Sequence, residues 1–119
     1  MTQPTNAVLL AVDSEALALE LDAAVRELGI ADDVLLARTA DDAFAALLAG
    51  GAHLAMISLA PSAARSRLEQ TLQGMAVPIL RFVPDASRTK SRAGLEPVNL
   101  PFSGETLRSA LGRLGFATA

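Results

Sequence analysis

The chain has 119 residues, 51% of them hydrophobic and 19% charged, a balance too apolar for disorder and too interrupted for a membrane span. Its 10 Lys plus Arg stand against 13 Asp plus Glu, and a net charge of −3 gives no general attraction to phosphate backbones, which sets direct nucleic-acid binding aside. With no cysteine and one histidine, His53, it cannot build disulfides, thiolate metal sites, cysteine nucleophiles or any two-histidine motif.

AVLLAV, residues 7 to 12, has the length and composition of a strand buried on both faces. The following SEALALELDAAVRELG places Leu17, Leu21, Ala24 and Leu28 at helical spacing and ends at Gly29, a C-cap position. DVLLA, residues 33 to 37, is a second strand. Thr39, with Asp42 three residues on, caps a helix carrying Phe44, Leu47 and Leu48, which Gly50 and Gly51 stop. LAMISL is the third strand, and a modest helix after Pro61 carries Leu68 and Leu72 before Gly74. PILRFV, residues 78 to 83, is the fourth strand and the short PVNL the fifth. Ser103 then caps a last helix with Leu107, Leu111 and Leu114 on one face.

Alternating strands and helices of this kind predict an α/β fold, a five-stranded parallel sheet covered on both faces by helices and connected by right-handed crossovers. A length of 119 suits a single domain over 1–119, with its core over about 7–114, and no linker or repeat divides it. The N-terminal MTQPTN lacks the basic start and long apolar stretch of a secretory signal, so a cytoplasmic location is expected, without a membrane partner. ASRTKSRAG, residues 86 to 94, stands where a fourth helix belongs. It has no apolar stripe, and Arg88, Lys90 and Arg92 make it either a solvated basic loop or a docking patch for an acidic partner.

In an open parallel sheet, ligands gather beyond the carboxyl ends of the strands. The residues there are Asp13, Ser14 and Glu15 after the first strand, Ser58 at the end of the third, Val83 and Pro84 after the fourth, and Leu100, Pro101 and Phe102 after the fifth. His53 enters the third strand at the opposite end, which suits a surface or strand-edge histidine rather than a proton switch. Arg81 lies inside an apolar run, so its guanidinium must either reach solvent or meet a carboxylate such as Asp13 or Asp85.

VLLAVDSEALALEL, HLAMISLAP, VPILRFV and GLEPVNLPFSGETLRSAL, in this order and spacing, resemble the receiver domain of bacterial two-component response regulators over nearly the whole chain. The resemblance implies the three-layer, doubly wound flavodoxin-like (βα)5 fold of the CheY-like receivers, with strand order 2-1-3-4-5 and a cis bond between Leu100 and Pro101. It also implies a phosphorylation site, and there the chain departs from the family. Receivers hold magnesium with two adjacent acids and the phosphoacceptor aspartate, because three carboxylates can fix a hard cation against phosphoryl oxygens. Asp13 keeps the first acid. Ser14 stands at the second acid position, Ser58 at the phosphoacceptor, Val83 at the hydroxyl residue ending the fourth strand, and Leu100 at the lysine before the proline.

A serine hydroxyl is a weak nucleophile without a base, and a lone carboxylate attracts magnesium poorly. Ser58 is therefore expected to fill an aspartate-sized space without importing an unpaired charge. The resulting expectation is a stand-alone pseudo-receiver, not an enzyme and without a cofactor, that acts by phosphorylation-independent protein–protein binding. By family likeness its partners are a histidine kinase, a phosphotransfer protein or another regulator. The expected surface comprises Arg88, Lys90, Arg92, Val98 and Leu107, with a homodimer through that face or through the apolar first helix. The alternatives are a phospho-switch modified at Asp13 or Ser58, and a small-molecule sensor using an apolar cavity bordered by Asp13, Ser58 and Leu100.

Overall fold

A computed structural model describes residues 7–85 and 93–115. In chain order these form β1 (Ala7–Val12), α1 (Glu15–Glu27), β2 (Asp33–Ala37), α2 (Ala40–Gly50), β3 (Leu54–Ser58), α3 (Ala63–Gly74), β4 (Ile79–Val83), β5 (Leu95–Asn99) and α4 (Gly104–Arg113). The five strands make one parallel sheet in the order β2-β1-β3-β4-β5. This is the flavodoxin-like architecture expected, and the Leu100–Pro101 bond is cis. The basic segment 86–94, which stands where a fourth helix belongs, lies largely in 86–92, outside the described residues.

Each residue of β1 is buried, because this strand is paired on both sides and covered on both faces. Alternate side chains sort into two cores. Val8, Leu10 and Val12 join α1 and α4 on one face, while Leu9 and Ala11 join α2 and α3 on the other. Leu107 and Leu111 of α4, with Val98 of β5, complete the first core. The second is closed by Leu68 and Leu72 of α3.

Local signals explain where the helices begin and end. The side chains of Ser14, Thr39, Ser62 and Ser103 each accept a hydrogen bond from a backbone N–H three residues on, meeting donors that the first helical turn leaves open. Ser103 and Thr106 do so reciprocally, forming a capping box. Gly29 (φ 67°) and Gly51 (φ 71°) take the left-handed conformations that let the chain turn out of α1 and α2.

Several side chains sit differently from the sequence expectation. In α1 the fully buried line is Ala18, Leu21 and Val25, with Leu17 and Ala24 only flanking it. In α2 the small residues Ala40 and Ala43 contact the sheet together with Leu47, whereas Leu48 is 89% exposed. Alanines let the helix approach closely, and the larger leucine is turned outward. β5 begins at Leu95, two residues before the PVNL run. Val98 and Leu107, expected on an interaction surface, are instead core residues at 3% and 0% exposure. Their elements border the surface, but these two side chains lie on the inward faces.

Candidate functional site

The topology brings the carboxyl ends of β1, β3, β4 and β5 to one rim. Val12 is in register with Ser58, and the Asp13 N–H donates to the Ser58 carbonyl at 3.2 Å, so these two positions are immediate neighbours. Val83 is in register with Asn99, and its carbonyl accepts from the Leu100 N–H at 2.9 Å. The five positions Asp13, Ser14, Ser58, Val83 and Leu100 thus all lie along the rim that the fold places there.

Their chemistry differs from one position to the next. Asp13 is exposed, and its backbone carbonyl accepts from Arg38 Nη2 at 3.3 Å. Ser14 Oγ accepts from the Leu17 N–H at 3.3 Å, so this hydroxyl is the cap of α1. Glu15 occupies the first turn of that helix, where a negative charge is favoured by the helix dipole. Ser58 is half-buried at the last position of β3. Beyond it the Leu59 carbonyl accepts from Arg65 Nη1 at 3.1 Å. Leu100 is half-buried against the first core together with Phe102, whose ring meets Phe82 edge-on at a centroid distance of 5.7 Å.

Asp13 is the acid beside Ser58 at this rim, and a single carboxylate is a weak seat for a hard divalent cation. Among the described residues no group of three or more His, Cys, Asp or Glu could hold a metal ion. A base for the Ser58 hydroxyl is not supplied by His53. That ring sits just before β3, with Nε2 3.3 Å from the Ile30 carbonyl oxygen, and five residues of extended strand put it about 16 Å away. Two grooves of the surface lie elsewhere. One, between α1 and β2, is lined by Leu19, Val34 and Leu36 among others, and a second, between α1 and α4, by Glu20, Glu27, Glu105 and Arg108.

The carboxylate that meets Arg81 is neither Asp13 nor Asp85 but Glu69 of α3. Arg81 Nε donates to Glu69 Oε2 at 2.8 Å and Nη2 donates to Glu69 Oε1, a two-pronged pair with side chains only 16% and 4% exposed. The bidentate fork satisfies both charges inside the second layer, which is what makes a buried arginine tolerable there. A sequence signal existed: Glu69 directly follows the core residue Leu68 and precedes Leu72 by three, so it flanks the buried stripe of α3. Arg88, Lys90 and Arg92 lie outside the described residues.

No protein-family model and no curated protein matches the chain. Among solved structures it is similar to the PhyR stress response regulator, with 28% identity, 95% of this chain and 46% of that one covered, and a TM-score of 0.74. The chain therefore spans about half the length of that protein. It is also similar to the receiver domain of the Erythrobacter litoralis PhyR response regulator, at 24% identity with 96% and 92% covered and a TM-score of 0.73. A third similar structure, the bacteriophytochrome response regulator AtBRR, shows 16% identity, 98% and 97% coverage and a TM-score of 0.76. In strand order, in the rim it builds and in these neighbours, the chain has the receiver fold of response regulators.

Proposed function

We propose that the chain is a receiver-fold signalling protein that works by binding another protein and not by accepting a phosphoryl group on aspartate. The observation that carries this reading is the rim itself. The position beside Asp13 where a receiver has its phosphoacceptor is Ser58, the second acid position is a helix cap, and Val83 and Leu100 stand where a hydroxyl and a lysine would serve the phosphoryl group. Each replacement suits the fold: Ser14 caps α1, and Leu100 packs on the first core. None supplies the metal-held charges that aspartyl phosphorylation draws on.

Among the described residues no helix is long and apolar enough to cross a membrane. The partner is a protein of the same signalling class, a histidine kinase, a phosphotransfer protein or another regulator, engaged without group transfer. Among similar solved structures is the anti-anti-sigma factor PhyR from Bartonella quintana, a precedent for this fold within a chain named for protein-level control. The basic stretch Arg88, Lys90 and Arg92 offers an acidic partner a contact, and no enzymatic step is assigned to the chain.

Incubation with a small phosphodonor and magnesium, read by intact mass, tests the reading. The expected mass is unchanged. A stoichiometric gain of one phosphate, lost in Asp13→Ala or Ser58→Ala, overturns it.

A further inference from the structure

The two edges of the sheet are built differently. β5 forms one edge and carries Pro97 at its centre. The Ile79 N–H donates to the Gly94 carbonyl and the Leu100 N–H to the Val83 carbonyl, so even-numbered residues of this strand turn their backbone groups to β4 and the Pro97 nitrogen faces outward. A residue without an N–H on the open side is a common protection against edge-to-edge pairing. β2, the other edge, is DVLLA, with neither proline nor lysine, and its Leu36 is 58% exposed.

The polarity of β2 follows from its neighbour. The odd-numbered ends of β1 bond towards β3, where Asp13 N–H donates to Ser58 and the Ala7 carbonyl accepts from His53, so the even-numbered β1 residues bond to β2. With Leu10 in register with Leu36, the outward N–H and C=O groups of β2 are those of Val34 and Leu36. On the same face, Leu19 of α1 is 66% exposed and lines, with Val34 and Leu36, a groove of about 210 Å³.

We propose that β2 pairs antiparallel with β2 of a second copy of this chain, about a two-fold axis through Leu35, to make one continuous ten-stranded sheet. A two-fold axis perpendicular to a sheet sets each residue opposite one whose number gives a constant sum. Centring on Leu35 puts Val34 opposite Leu36 of the second copy and joins their outward backbone groups. It also puts Arg38 opposite Asp32 of the second copy, on the same face and in both halves. On that face, opposite charges at both ends and Val34–Leu36 pairs between them make the strand self-complementary, while Asp33 falls opposite the small Ala37. Arg38 has five donors, so its contact with the Asp13 carbonyl leaves others for this pair.

Sedimentation equilibrium of the full chain tests the pairing. The expected mass is twice 12.3 kDa, and Leu36→Asp is expected to return the monomer with an unchanged far-ultraviolet spectrum. Arg38→Asp, which sets like charges across the axis, is expected to weaken association by about tenfold or more, and Asp32→Arg combined with it to restore it. Because the chain has no cysteine, Leu35→Cys is expected to form a disulfide-linked dimer on mild oxidation, its Cα atoms lying about 4.5 Å apart across the axis. A monomer at every concentration up to about 1 mM overturns the proposal. So does a dimer that Leu36→Asp leaves intact, or one that Leu35→Cys forms without cross-linking.

Discussion

The β4–β5 side of the sheet is tied down by ion pairs between elements, whereas the β2 side presents an open strand edge. On the β5 side, Arg81 and Glu69 join β4 to α3, Arg113 and Glu96 join α4 to β5, a capping box starts α4, and Pro97 closes the edge. On the β2 side the strand edge is open, with Leu36 of the strand and Leu19 of α1 exposed and charged residues at the strand's ends. One side is joined between elements by ion pairs, while the other keeps the outward backbone groups of Val34 and Leu36 along an open strand edge. A fold can thus assign stability to one flank and recognition to the opposite one.

The contrast is broken most forcefully at Glu69. Glu69→Ala strands a largely buried guanidinium and is expected to lower unfolding stability by about 3–5 kcal/mol in urea titrations, whereas replacing both Glu69 and Arg81 by leucine costs far less. If the single and double variants are equally unstable, the pair is not what holds β4 to α3. Next in size is the α4 cap. Ser103→Ala removes the acceptor for Thr106 N–H and is expected to cost about 1 kcal/mol, read by thermal or urea unfolding. Smallest is the β2 flank, where Leu36→Asp, compared with the wild type at concentrations low enough for both to be monomeric, is expected to change stability by less than about 0.5 kcal/mol, as exposed substitutions generally do. A large loss there would place Leu36 in the folding core and erase the division between the flanks.

Much of this architecture is legible in the amino-acid order because compact apolar runs mark the strands, fully buried in β1 and half-exposed in β2. AVLLAV and DVLLA coincide with β1 and β2 to the residue, and Thr39 and Ser103 were readable as caps from the polar residue that precedes each helix. What stayed hidden depends on distant partners or on small side chains. The first two residues of β5 include Glu96, whose charge argues against a strand until Arg113, seventeen positions later, meets it. In α2, a reading by large apolar residues selects Leu48, while contact with the sheet is made by Ala40 and Ala43. The rim residues could be named from their places at strand ends, since element order alone assigns them. Val98 and Leu107 were assigned to a surface by element, and only the packing shows which way each side chain turns. The place of Glu69 beside the buried stripe of α3 hints at a buried acid, but its pairing with Arg81 spans α3 and β4, a juxtaposition that no local pattern records.

The central position of β1 has a consequence in time. Its partners lie ahead of it in the chain, β2 starting 26 residues and β3 47 residues after β1 starts. At about 5–20 residues per second, a strand of six apolar residues leaves the ribosome seconds before either neighbour exists to cover it. Of the described elements, α1 follows it within that interval and can shelter it through the Ala18, Leu21 and Val25 line. The first helix therefore serves the newborn chain as a temporary cover before it serves the finished sheet as a wall.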